Sequence, residues 1–112
     1  LVCCLECSLS ISNEGHVYSF GRHVKGGHGH QEELVKVPKK IPYLKQIQSI
    51  DCGLQHTICL DRKGNVFSFG SNQYRQLGLG NLGHTHVPKI VPLPPIKQIS
   101  CGDNFTVCLS NV

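Results

Sequence analysis

Seven cysteines and seven histidines are the side chains of this 112-residue chain best equipped for chemistry. Cys3, Cys4 and Cys7 lie within reach of His23, His28 and His30 in sequence, and thiolate with imidazole is a zinc-binding donor set. Their spacing argues against a metal, because no Cys-x-x-Cys pair is answered by a second pair. Gly26-Gly27-His28-Gly29 is glycine-rich, but a phosphate loop needs a following Lys-Ser/Thr and a helix, and neither is present. It reads as a flexible surface loop. Asp51, Asp61 and Asp103 read as singletons in turns, and no Ser–His–Asp order suggests a triad. The expectation is no catalytic residue, no metal and no cofactor.

Charge and length narrow the classes further. The formal charge is +4, a mild excess. Lys36, Lys39, Lys40 and Lys45 cluster, but Pro38, Ile41 and Pro42 stand among them, so the segment reads as a solvated loop and not a phosphate-binding patch. No window approaches the roughly 18 consecutive apolar residues of a membrane helix. Leu1 to Leu5 is apolar, yet it lacks a basic lead and is interrupted by Glu6, so it reads poorly as a signal peptide. An odd number of cysteines does not suit a small secreted domain. All seven are expected to be reduced thiols, in the cytoplasm or nucleus.

The elements that position these residues emerge from an internal repeat. Cys52-Gly53-Leu54-Gln55-His56-Thr57-Ile58-Cys59-Leu60 lies over Cys101-Gly102-Asp103-Asn104-Phe105-Thr106-Val107-Cys108-Leu109. Cys, Gly, Thr, Cys and Leu coincide, and the period is 49 residues (52 to 101). Gly15-His16-Val17-Tyr18-Ser19-Phe20-Gly21 lies over Gly64-Asn65-Val66-Phe67-Ser68-Phe69-Gly70 at the same period, and Cys3 falls over Cys52. Val37-Pro38-Lys39 matches Val87-Pro88-Lys89 at a spacing of 50, so one residue is gained or lost in between. The units run approximately 3–51 and 52–100, with the start of a third at 101–112.

Each unit carries short alternating runs. Ile47 to Cys52 and Ile96 to Cys101 read as a first strand, Thr57 to Leu60 as a second and Val66 to Phe69 as a third. Ile58 and Leu60 are expected on one face of the second strand, with Thr57 and Cys59 on the other. Phe67 and Phe69 should oppose Val66 and Ser68 in the third. Asp61 to Gly64 is a turn in which Gly64 supplies positive φ. Ser71 to Thr85 is rich in Gly, Asn and Gln and reads as a loop, and His86 to Val91 as an extended edge containing Pro88. Four short strands per unit imply an all-β fold: a partial β-propeller of about two four-stranded antiparallel blades. Small Cys and Gly residues suit close approach between strands, and Phe and Leu fill the space between blades.

Cys52-Gly53-x-x-His56-Thr57, followed by Gly64-x-Val66-Phe67-Ser68-Phe69-Gly70-x-Asn72-x-x-x-Gln76-Leu77-Gly78-Leu79-Gly80, resembles the regulator of chromosome condensation family. The middle unit matches almost throughout. It departs only in Phe69, where the family has a Trp-like aromatic, and in Arg75, where it has Gly. In the outer units Cys7 and Phe105 stand at the His56 position, and Gly26 to His30 replaces the Gln-Leu-Gly-Leu-Gly run. The resemblance implies a seven-bladed propeller of roughly 350 residues, of which this chain supplies about two blades. The remaining blades are expected from a longer protein or a second chain.

The resemblance also implies a function. In the family the loop of the Cys-Gly-x-x-His-Thr motif lies on one face of the propeller, and in its best known member residues of that loop contact a Ran-type small GTPase. Carried over by position, the partner-binding candidates are Gly53, Leu54, Gln55 and His56, then Gly102, Asp103 and Asn104. The blander reading is that His56-Thr57 starts a strand, with its imidazole bonded to a neighbour. The favoured function is a non-enzymatic protein-interaction module that presents blade-end loops, with chromatin a weaker partner. Alternatives are guanine-nucleotide exchange on a Ran-type GTPase, or an accessory propeller of a HECT-type ubiquitin ligase. Blades without neighbours leave apolar faces bare. The isolated 112 residues should therefore oligomerise or bind a dye for apolar surface. A dye-silent monomer in sedimentation would contradict the partial-propeller reading.

Overall fold

The computed structural model describes residues 2–3, 7–22, 34–41, 43–53, 56–70, 78, 85–103 and 105–110. All regular structure there is β. One sheet contains β1 (Val2–Cys3), β2 (Cys7–Ile11), β3 (Val17–Arg22) and β4 (Leu34–Lys40), in that order. The second repeats the pattern with β5 (Ile47–Cys52), β6 (His56–Asp61), β7 (Val66–Gly70) and β8 (Thr85–Val91). β9 (Ile96–Cys101) and β10 (Thr106–Ser110) pair as a third, two-stranded sheet. Every pairing is antiparallel between strands adjacent in sequence, so each sheet is a meander, as expected of propeller blades.

Alternation along the strands decides which seam each side chain enters. In β6, Cys59 joins a buried cluster with Leu9 and Val17 of the first blade and Ile47, Ile50 and Phe69 of the second. Ile58 and Leu60, on the opposite face, join Val66, Val91 and Ile96 between the second blade and the third. Phe69 is fully buried in the first seam and Val66 in the second. Burial of side chains of this size contributes about 2–3 kcal/mol each. The middle blade is thus a slab with a core on both sides, which is why β6 is buried along its whole length.

Two structural expectations change. Residues 34–40 form strand β4, not a loop, so Lys36, Lys39 and Lys40 lie on the outer strand of the first blade and only Lys45 lies beyond it. The strand wins because β3 needs a partner on its outer edge, and Pro38 is tolerated in an edge strand. Asp51 likewise sits within β5 and not in a turn. The loop reading of Ser71 to Thr85 falls outside the described residues except at Gly78 and at Thr85, which opens β8.

Successive blades are tied by the hairpins. The Ser12–His16 turn presents the carbonyl of Gly15 to the amide of Ile47, the first residue of the next blade, at 3.0 Å. The Asp61–Asn65 turn presents the carbonyl of Gly64 to the amide of Ile96 at the same distance. Asp61 fixes its own turn: Oδ1 accepts the amides of Lys63 and Asn65, both at 2.9 Å, and Oδ2 accepts Asn65 Nδ2 at 3.1 Å. Ser12 Oγ does the same work more weakly, accepting the amide of His16 at 3.2 Å.

Gly15 and Gly64 adopt φ of 84° and 91°, a region that favours glycine. A Cβ on Gly15 would also stand 2.6 Å from the Cα of Gln46. Gly15→Ala therefore combines left-handed strain with a backbone clash and should lower the unfolding free energy of the full protein by about 3 kcal/mol. Gly78→Ala should do less harm, because Gly78 is exposed and its nearest obstacle is the Val91 side chain at 3.3 Å. Chemical denaturation of the two variants measures the difference.

Candidate functional site

The two motif loops build one site, at the end of the seam between the second and third blades. Each is a tight turn that begins at its glycine. The amide of Gly53 donates to the carbonyl of His56, and that of Gly102 to the carbonyl of Phe105, both at 2.9 Å. The turn folds the ring at the fourth position back over its glycine. A Cβ on Gly53 would strike the His56 ring and the carbonyl oxygen of Gly102, and one on Gly102 would strike the Phe105 ring. Both glycines are required to admit the ring, and Gly53 also to let the two loops meet.

His56 is fully buried. Its Nε2 is hydrogen-bonded to Thr106 Oγ1 at 3.1 Å, across the seam. The imidazole of this motif therefore ties one blade to the next and does not face outward. At the equivalent position of the third unit, Phe105 is 60% exposed, and Val107 and Leu109 on the same face are exposed with it. Their counterparts His56, Ile58 and Leu60 are covered by β9. The difference between the two copies is the presence or absence of a neighbouring blade.

Asp51 adds a second tie. Its Oδ1 accepts the amide of Cys52 at 2.9 Å and its Oδ2 the amide of Cys101 at 2.8 Å. One carboxylate thus holds the ends of β5 and β9 together, and charge-assisted bonds of this kind are the stronger class. The sequence offers little sign of it, because the repeat-equivalent residue is Ser100. Of the remaining candidates, Asp103 is exposed at the bend of the third unit, whereas Leu54, Gln55 and Asn104 lie outside the described residues.

The cysteines occupy the same seams. Cys52 is disulfide-bonded, and its partner lies outside the residues whose side chains are described. This corrects the expectation of seven reduced thiols. Strands β1 and β2 both pack against β5, which carries Cys52. Cys59, Cys101 and Cys108 are free. Burial, reinforced by nearby Cys101, holds the Cys59 thiol far above its ordinary range. Cys101 is pushed up to about 12 by burial first and by the Asp51 carboxylate second, against a lowering hydrogen bond with Thr106. Burial also raises Cys108. These are thiols held protonated, the opposite of an activated nucleophile. His23, His28 and His30 lie outside the described residues, and among those described no three metal-ligating side chains converge.

The raised thiols carry a pH dependence. An unfolded cysteine loses its proton near 9, whereas Cys101 in the native state keeps it to about 12. The native chain then binds more protons, so stability is whole below pH 9 and falls as the pH rises through that window. Denaturation midpoints should drop as the pH rises from about 9 to about 12, and Cys101→Ser should shrink the drop. An unchanged slope in that variant would exclude Cys101 as its source.

Comparison with known proteins places the geometry in a family. The model of the regulator of chromosome condensation (RCC1) repeat matches residues 14–60 and 63–109, and a second model of that repeat matches 47–76. No curated protein matches the chain. Among solved structures, human WBSCR16 superposes with a TM-score of 0.83 at 28% identity, over 98% of this chain and 30% of its own. Prp20p from Saccharomyces cerevisiae, described with its binding to Gsp1p and histones, gives 0.83 at 23% identity over 92% of this chain and 28% of its own. Yeast RCC1 (Prp20) with Kap60 bound gives 0.81 at 24%, over 95% and 29%. The chain thus spans less than a third of each of these proteins.

Proposed function

The chain belongs to the regulator of chromosome condensation repeat family, and from that premise we propose that it is part of a non-enzymatic propeller that binds a protein partner through its blade-end loops. The observation that carries this reading is where the reactive side chains go. Asp51 and Asp61 are consumed by backbone amides, and His56 bridges two blades. Cys59 and Cys101 are kept protonated by burial. The repeated motif is spent on assembling the scaffold, which leaves recognition to the segments between strands.

A second reading is guanine-nucleotide exchange on a Ran-type GTPase. It is supported by the likeness to Prp20p, which is described as binding Gsp1p, and by the motif loop lying at a blade end. With His56 inside the seam, the exposed candidate for such a contact is Asp103, and Leu54, Gln55 and Asn104 are candidates by their place in the motif alone. Histone contact is the corresponding chromatin reading. An accessory role beside a HECT-type catalytic domain rests on the family resemblance alone. A cytoplasmic or nuclear setting agrees with the three free thiols, and the Cys52 disulfide pulls the other way.

The two principal readings separate in one assay. A Ran-type GTPase is loaded with fluorescent nucleotide and mixed with the full-length protein. The interaction-module reading expects capture of a protein partner with no faster nucleotide release. Accelerated release that is lost in Asp103→Ala would establish exchange instead. His56→Ala should lower stability by about 1–3 kcal/mol through the lost seam bond and packing, and should alter partner affinity only in step with that unfolding.

A further inference from the structure

The linker that enters the second blade and that blade's own hairpin enclose a cavity that the family motif does not account for. It measures about 330 Å³ and lies between the linker joining β4 to β5 and the Asp61–Asn65 hairpin. Tyr43 and Lys45 line it from the linker, Lys63 and Asn65 from the hairpin, and Phe67 from β7. Both lysines are exposed and Phe67 is half-buried. Asp61 is the acid of the lining, but it is 8% exposed and both its oxygens are occupied within its own turn. The groups left to meet a ligand are two ammonium groups, the amides of Gln46 and Asn65, and two aromatic rings.

The backbone here is strained in a way the other linker is not. Five residues separate Ile41 from Ile47, whereas four separate the equivalent Val91 from Ile96. The additional residue is accommodated by positive φ at two non-glycine positions, Tyr43 at 71° and Gln46 at 53°. Such conformations are strained and cluster at functional sites. The result is a tyrosine ring 72% exposed at the rim of the cavity, beside Lys45.

We propose that this cavity docks a short acidic peptide segment of a partner protein, with Lys45 and Lys63 pairing its carboxylates and Tyr43 and Phe67 receiving a neighbouring apolar side chain. The inference rests on reading the chain as an interaction module and gives that module a specific site. The chemistry is local. In the next linker Pro92-Leu93-Pro94-Pro95 replaces tyrosine and lysine, and Glu14 stands at the Lys63 position of the first blade. A basic feature that does not recur from blade to blade suits one bound segment. Nucleic acid would favour a continuous track of phosphate contacts.

The test uses the full-length protein and a fluorescein-labelled peptide of sequence Glu-Glu-Phe-Glu-Glu, read by fluorescence anisotropy. Binding should weaken roughly tenfold or more in Lys45→Gln/Lys63→Gln and weaken as salt is raised. Lys97→Gln, an exposed charge on β9, should leave it unchanged. Tyr43→Ala should weaken binding while retaining the salt dependence. Equal peptide affinity in the double variant and the wild type would overturn the proposal. So would tighter binding of a single-stranded oligonucleotide of matched charge with the same lysine dependence. Partner capture that survives in the double variant, together with no peptide binding, would sink this site and leave the module reading standing. Failure to capture any partner would sink that reading independently of the anisotropy result.

Discussion

One hydrogen bond, made twice, fixes how this chain stacks. The hairpin of each blade turns a glycine carbonyl toward the first amide of the next blade, and the bond is 3.0 Å in both seams. A sheet buries only the faces its neighbours cover, so the position of that neighbour decides everything downstream. With Ile47 and Ile96 held in equivalent places, Phe69, Cys59 and Leu9 close one seam, and Ile58, Leu60 and Val66 close the other. The hydrogen bond itself contributes about 1 kcal/mol. Its larger effect is geometric, because it sets the register in which several apolar side chains find each other.

Much of this was legible in the sequence because the repeat supplies two copies of each instruction. Strand positions, the facing of Ile58 against Cys59, and the positive φ of Gly64 follow from alternation and turn chemistry, which are local. What was not legible depends on contacts between units. Lys36 to Lys40 looked like a solvated loop because proline and charge mask an edge strand. Asp51 had no repeated counterpart to mark it as a bridge. The Cys52 disulfide required knowing which thiols the stacking brings together. The cavity at Tyr43 had left one trace, the spacing of 50 where 49 was the rule.

The motif histidine of the middle unit, replaced by Cys7 and Phe105 in the outer ones, is turned into the seam. His56 stands in a glycine turn at a blade end, where a partner would be met. Yet the same turn folds the ring inward onto Gly53 and across to Thr106. What does recur with the period, the turns at Gly53 and Gly102 and the hairpin glycines Gly15 and Gly64, shapes the blade ends and the contacts between blades. Recognition is better sought where the copies differ, as at Asp103 beside the motif glycine and at the Tyr43–Lys45 linker.

The change of spacing has a broader meaning. Tyr18 pairs with Lys40 and Phe67 with Ile90, so the chain between third and fourth strands is one residue longer in the second blade. The linker that follows is one residue shorter, and Ile96 falls back into step with Ile47. Slack introduced at the rim is taken up before it reaches the next seam. Each blade therefore behaves like a gear tooth of fixed pitch with an adjustable crown. Connecting segments can lengthen, shorten and acquire new chemistry while the contact from one blade to the next stays the same.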